Sequence, residues 1–306
     1  MDEIKNAILK TLSFFELFSY PLTREELFEF LWKQKTTRCD FEVTIEGLLK
    51  EQKIFLQDGY FFLPNKSNNV EFRRQRLLEN ENKLKKAARA CKKISWLPFI
   101  KTVFICNSLA FGTATQKSDI DFFIITDPKR LWLARFFSNL ILLLFGQRVN
   151  KNKNGVCLSF FISKDSLNLQ NIKIIQEDVY LIYWLAVLIP IYDPEDYRRK
   201  IIADNDWLFD YLPQFSSELS IYAKEIKNGR FKLFIKNVLE KMWQGVYGDL
   251  MEKQAKEAQL ARIKMSTRDK NFNFPGVVIN DNMLKFHEND KRKEYYEKWR
   301  QRVESL

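Results

Sequence analysis

The sequence predicts a helix-rich α+β fold, on three observations. Glycine and proline number only 9 and 8 in 306 residues, too few for a loop-dense β architecture. Hydrophobic residues make up 46% of the chain and recur at helical spacing through most of it, and 27 Phe imply several packed helical layers. A few short runs rich in β-branched and aromatic residues, at 103–106, 119–125 and 156–163, supply strands for one small mixed sheet.

Residues 4–18 read as a helix with Ile4, Ile8, Leu12 and Phe15 on one side, broken at Tyr20-Pro21-Leu22. Thr23 is placed to cap a second helix, and Glu26 three positions on completes a capping box. Asp40 is expected to cap a third helix running to about Gln52. Asp58-Gly59 between β-prone runs predicts a hairpin over 53–63. Residues 71–95 form a charged helix that carries Arg73, Arg74, Arg76, Lys83, Lys85, Lys86, Arg89, Lys92 and Lys93. It reads as a linker whose cations form a solvated face, with RNA or phosphate contact as the alternative.

Beyond it, 103–106 and 119–125 are strands joined by a turn and a short helical start. Asp127-Pro128 is expected to begin a helix, with Asp as its cap and Pro at its first position. Its apolar run, 131–146, is shorter than the ~20 residues a membrane span needs. A buried helix is preferred over an interfacial one. A turn is expected at 151–155 and a strand at Val156–Ser163. An apolar helix at 177–188 ends at Pro190, and a short strand follows at 191–193. Residues 196–265 read as amphipathic helices, with Leu233, Val238, Leu239, Met242 and Val246 forming one apolar set. The tail is extended at 274–279 and closes with an aromatic, basic helix ending near Val303. Three units follow: 1–66, 67–195, and a helical 196–306.

The net charge is +11, unevenly placed. Residues 1–63 carry 8 Lys/Arg and 11 Asp/Glu, a net −3, which leaves +14 on the rest. A basic body favours acidic ligands such as nucleotides, RNA or anionic lipid surfaces. The acidic first unit argues against DNA contact there. Cys39, Cys91, Cys106 and Cys157 show no Cys-x-x-Cys spacing, and no signal peptide is visible, so a reduced cytoplasmic setting is expected.

One stretch concentrates the chemistry. Asp119 and Asp121 lie two residues apart at the head of a strand and so share a face. Two carboxylates at that spacing repel unless a cation sits between them, and hard oxygen ligands point to Mg²⁺ or Mn²⁺. Asn107 and Ser108 sit where the preceding strand turns into a helix, a place where backbone N–H groups receive phosphate. Gly112 loosens the loop that follows.

This stretch resembles the polymerase-β-type nucleotidyltransferase superfamily. The pattern is a hydrophobic residue, Gly, Gly or Ser, a spacer, then Asp-hydrophobic-Asp/Glu. Ser108 matches the second small residue, Asp119 and Asp121 match the acidic pair, and ten residues separate Ser108 from Asp119. Ala110, Gly112 and Ser118 also fit, while Asn107 stands where the family has Gly. Asn is the next most tolerant residue of a left-handed backbone, so the turn can survive. The resemblance implies transfer of an NMP from an NTP to a hydroxyl, with the metal on Asp119 and Asp121 and the phosphates near Asn107, Ser108, Gly112 and Ser118. Acceptors in the family include small molecules, RNA and proteins, and nothing in the sequence selects one.

The family also places a third carboxylate on a later strand as proton acceptor. The matching position is Ser159, and Asp165 just past the strand is the nearest substitute. The alternative is therefore a weakened site that binds nucleotide as a regulator or scaffold. Three helices and a hairpin in residues 1–66 resemble a winged helix, used for protein docking or homodimer formation rather than DNA. The helical last unit would, by resemblance, hold the acceptor or the base. His287 stands alone without a zinc pattern and reads as structural, or as a phosphate or acceptor contact with Lys285, Lys291 and Arg292.

Overall fold

Thr23 and Glu26 form the predicted capping box. The Glu26 backbone N–H donates to Thr23 Oγ1 at 3.3 Å, and the Thr23 N–H donates to Glu26 Oε2 at 2.8 Å. This start is one of a series of elements in a computed structural model that describes residues 1–149, 154–216, 225–266, 276–287 and 289–305. The chain is α+β.

The first elements are α1 (Asp2–Glu16), β1 (Leu22–Thr23), α2 (Arg24–Glu29), α3 (Arg38–Lys50), β2 (Phe55–Gln57) and β3 (Tyr60–Phe62). The strands form an antiparallel sheet in the order β1-β3-β2. Asp58 and Gly59 take φ of 53° and 83°, as a two-residue hairpin of primed type requires. α3 begins one turn before the expected Asp40 cap. Thr37 is the cap, because its Oγ1 accepts from the Asp40 N–H at 3.1 Å while its hydroxyl donates to the Asp40 carboxylate at 2.7 Å.

α4 (Asn68–Ile94) is the predicted charged helix, but two of its cations are not solvated. Arg73 is buried, forks onto Glu26 at 2.7 and 2.8 Å, and lies over the rings of Tyr20 and Tyr60. Lys83 is buried and donates to the Ser118 carbonyl at 2.7 Å. These two bolt α4 to the first unit and to the loop ahead of Asp119, because a buried cation must find an anion or a carbonyl.

The central sheet contains β4 (Ile100–Cys106), β5 (Ile120–Thr126), β6 (Val156–Ser163), β7 (Ile189–Tyr192), β8 (Val277–Ile279) and β9 (Met283–Phe286), in the order β7-β4-β5-β6-β9-β8. Among the described strands only β5 and β6 pair in parallel. A single turn, α5 (Asn107–Ala110), follows β4, and α6 (Leu131–Leu144) makes the crossover from β5 to β6. The alternation splits the core in two. Phe104, Phe123, Phe160 and Ile162 pack with α1 and with α7 (Val179–Ala186). Val103, Phe122, Ile124 and Phe161 pack with α4 and α6. α8 (Tyr197–Ala203), α9 (Arg230–Met242), α10 (Gly245–Ser266) and α11 (Arg292–Glu304) complete the described helices. None of them is long and apolar enough to cross a membrane.

Three expectations are corrected. Asp127 does not cap α6, which starts at Leu131 without a side-chain cap. Its carboxylate is held by Lys101 and Lys164 at 3.1 and 3.0 Å instead. Pro190 lies inside β7 rather than merely ending a helix. Residues 196–306 are not a purely helical unit, because β9 pairs with β6 and β8 with β9, extending the central sheet. α11 then returns to the first unit, where Trp299 Nε1 donates to the Lys10 carbonyl at 2.9 Å. The turn expected at 151–155 lies largely outside the described residues, as does the start of the extended stretch at 274–279.

Gly112 serves this assembly. Its φ is +70°, and a Cβ there would meet Tyr20 Oη at 2.9 Å. Gly112→Ala should cost about 1–2 kcal/mol from the left-handed backbone, with the Tyr20 contact adding to it. Urea denaturation checks this, and an unchanged midpoint would refute the close packing of the loop on the first unit.

Candidate functional site

β4 carries the chain to Cys106, and Asn107 turns it with a φ of +54°, the left-handed backbone its residue type tolerates. The Asn107 side chain has a second task. Its Oδ1 accepts from Trp184 Nε1 at 2.9 Å, which leaves its amide nitrogen to favour the ionised Asp121 carboxylate. A glycine could do neither. Ser108 follows in α5, and its carbonyl accepts from the Thr113 N–H at 2.8 Å.

Asp121 is the second residue of β5, opposite Cys106 on β4 and Cys157 on β6. The Cys157 thiol beside it also favours the ionised carboxylate. Burial raises the Asp121 pKa. The Asn107 side chain pulls it back, and the nearby charge of Asp119 adds to the rise. Asp119 lies just before the strand, where its Oδ1 accepts from the Gly155 N–H at 3.4 Å. Among the described residues neither carboxylate has an ion-pair partner. Burial, helped by the Asp121 charge, pushes the Cys157 thiol up to about 11, so it stays a neutral donor.

Ser159 sits beside this group without supplying charge. β6 takes three residues from Cys157 to Phe160 while β5 takes two from Asp121 to Phe123, so β6 bulges at Ser159. Ser159 is buried and its side chain partly offsets the rise in the Cys157 pKa. Asp165 is not a substitute for the missing carboxylate. The register sets Asp121 beside Cys157 and Thr126 beside Ser163, so Asp165 lies past the opposite end of the sheet. At about 3.3 Å per residue that is roughly 20 Å from Asp121. It lines a different cavity of about 790 Å³ with Asp204 and Asp281.

Asn107, Ser108 and Asp121 open onto a cavity of about 300 Å³. Phe160, Tyr180, Trp184 and Tyr295 give it aromatic walls, and Tyr180 stacks on Tyr295 at 5.3 Å. Gly112 and Ser118 do not line it. Ser118 Oγ accepts from the Thr115 N–H at 3.0 Å and closes its own loop. Asp119 stands beside the cavity rather than in its wall.

The far wall comes from the tail. β9 sets Lys285 beside Phe160, so Lys285, His287, Asp290, Lys291 and Arg292 all face the cavity. Two of these cations are already engaged. Lys285 Nζ donates to Asp290 at 2.9 Å, and Arg292 reaches Asp290 at 2.8 Å and Asp178 at 2.8 Å. Those bonds hold the Asp290 carboxyl well below the usual range against the opposing effect of burial. Burial and the Lys285 charge lower His287 to about 4, so it is neutral at pH 7. Its Nδ1 is buried without a hydrogen-bond partner among the described residues. Sequence reasoning linked His287 to Lys285, Lys291 and Arg292 but missed Trp184, Tyr180, Asp178 and Asp290. A carboxylate immediately before the apolar run at 179–192 was the available signal for Asp178.

Comparison with protein-family profiles, curated proteins and solved structures returned no match. What remains is the arrangement itself: a carboxylate pair with no ion-pair partner among the described residues, a left-handed turn followed by a serine, and a cavity of about 300 Å³ with aromatic walls.

Proposed function

We propose that this protein transfers a nucleotidyl group from an NTP to a hydroxyl acceptor. The observation that supports the reading best is Asp121, a partly buried carboxylate pushed up by burial and by Asp119, at the mouth of the same cavity as Ser108. Among the described residues neither Asp119 nor Asp121 has an ion-pair partner, which suits a hard divalent ion. Mg²⁺ takes one or two carboxylates and completes its shell with substrate phosphates. Asp119 and Asp121 would hold it, and it would neutralise charge on the triphosphate as pyrophosphate departs.

The chain's own residues then have separate tasks. Ser108 and the Asn107 turn orient the phosphates, while Tyr180 and Trp184 offer faces to a planar base. Asn107 favours the ionised form of Asp121 that a metal would need. The acceptor oxygen bonds to the α-phosphorus, the bond to the β-phosphate oxygen breaks, and the acceptor proton passes to solvent. Residues 1–63 fit a winged-helix-like module for docking a protein or a second copy, since their net charge of −3 opposes nucleic acid. Four unpaired cysteines accord with a cytoplasmic setting.

The test is incorporation of labelled NTPs with Mg²⁺ or Mn²⁺ into RNA, protein and small-molecule acceptor pools. Incorporation by the native chain and not by Asp119→Asn is the expected result. Ser159, at the position where the resemblance implies a third carboxylate, favours a second reading of nucleotide binding without turnover. Thermal stabilisation by NTP and Mg²⁺ without incorporation would establish that reading and overturn the first.

A further inference from the structure

α9 is attached to the body by its polar side. Lys232 Nζ donates to the Lys92 carbonyl at 3.2 Å, Lys236 Nζ to the Ile100 carbonyl, and Glu240 accepts from the Phe99 N–H at 2.8 Å. These residues are spaced i, i+4, i+8 and form one stripe. Lys236 is the one residue of α9 that is buried. At 100° per residue, the opposite side carries Phe231, Phe234, Val238 and Met242, which are 74%, 66%, 40% and 60% exposed. The stripe continues onto the first turns of α10, where Val246 is 88% and Leu250 51% exposed. The helix is inside out for a water-soluble surface, and single exposed apolar residues would not make such a pattern.

α6 repeats the arrangement nearby. Phe136, Leu140, Leu143 and Leu144 lie on one face and are exposed. The two helices are joined where Phe137 stacks on Trp243 at 4.8 Å. The helix expected to be buried is thus buried on one side only.

Charge selects the occupant. All three acids from Arg230 to Lys253 are held by the body: Glu240 by Phe99, Asp249 by Arg130 at 2.7 Å, and Glu252 by the Trp132 and Leu133 N–H groups at 2.8 Å. The exposed cations Arg230, Lys241 and Lys253 remain around the apolar stripe. We propose that α9 and the start of α10 seat this protein on an anionic lipid surface, with Phe231 and Phe234 entering the headgroup boundary and the cations meeting lipid phosphates and carboxylates. A second copy fits less well, since a two-fold contact would bring the same cations together on a chain of net charge +11. This proposal is independent of the transferase reading.

The experiment is co-sedimentation of the full chain with vesicles of phosphatidylcholine alone and of phosphatidylcholine with phosphatidylserine. Binding to the anionic vesicles, weakened by salt, is expected. Phe231→Ser with Phe234→Ser should reduce it by roughly tenfold or more. Arg230→Gln with Lys241→Gln should reduce it only on the anionic vesicles. All four positions are exposed, so circular dichroism should be unchanged. Failure of the native chain to bind anionic vesicles overturns the proposal, and so does binding that survives the double Phe substitution. Self-association abolished by that substitution, without lipid binding, would also overturn it and assign the face to a second copy.

Discussion

Asp121→Asn should make the protein inactive and more stable at once. The activity loss is expected to exceed about 100-fold, since changes merely behind a metal ligand already cost 10–100-fold in metal affinity. The stability gain follows from the sign of the Asp121 shift. Its folded pKa is raised, so the folded chain holds that proton more tightly than the unfolded chain does. The corresponding stabilisation is full below the unfolded carboxyl range and is lost as pH rises through the folded value. At pH 7 the ionised Asp121 therefore opposes folding, with Asp119 adding repulsion.

Asparagine has the same shape, keeps an acceptor for the Asn107 amide and removes the charge. A gain near 1 kcal/mol would raise the melting temperature by roughly 2–4 °C at this chain length. The gap between native and variant should close as pH falls toward the carboxyl range, and it should narrow in Mg²⁺. Thermal unfolding at neutral and acidic pH, with and without Mg²⁺, checks all three points. A variant less stable than the native chain at pH 7 would mean that Asp121 is a structural partner rather than a strained ligand.

Such a site was legible only where its signals are local. Thr23 with Glu26 and Asp58 with Gly59 act within three residues, and both were read correctly. Asn107 was legible because a left-handed position admits few residue types. What escaped depends on partners distant in sequence. Arg73 looks solvated until Glu26, 47 residues away, is folded against it. Lys285 pairs in register with Phe160 across a separation that no periodicity reports. Asp165 misled because nearness along the chain stood in for nearness in space, and an eight-residue strand carried it to the other end of the sheet. α9 is a subtler case. Its pattern shows that an apolar face exists, but not that the body takes the polar one.

Arg292→Ala should cost roughly 3–5 kcal/mol, the range for removing one member of a buried ion network. Arg292 is 5% exposed and donates to Asp178 at 2.8 Å, to the Ile172 carbonyl at 2.9 Å and to Asp290 through Nε at 2.9 Å. Asp178 is fully buried and caps α7 by accepting from the Leu181 N–H at 3.1 Å. Burial raises its carboxyl even with Arg292 beside it, so losing Arg292 leaves a carboxylate in the core with too little compensation. Asp290 carries the opposite sign. Its lowered pKa stabilises the fold above the unfolded carboxyl range, and that contribution fades as pH falls toward the folded value. Without Arg292 both carboxyls shift up, so the deficit should be largest at neutral pH and shrink in acid, where protonation removes the uncompensated charge. Asp178→Asn in the Arg292→Ala background should recover part of the loss, because it removes the stranded charge and keeps an acceptor for the α7 cap. Urea denaturation of the single and double variants at two pH values measures these effects. A loss below about 1 kcal/mol would place the tail off the sheet, and with it the wall that joins Lys285, His287 and Tyr295 to the cavity of Asp121.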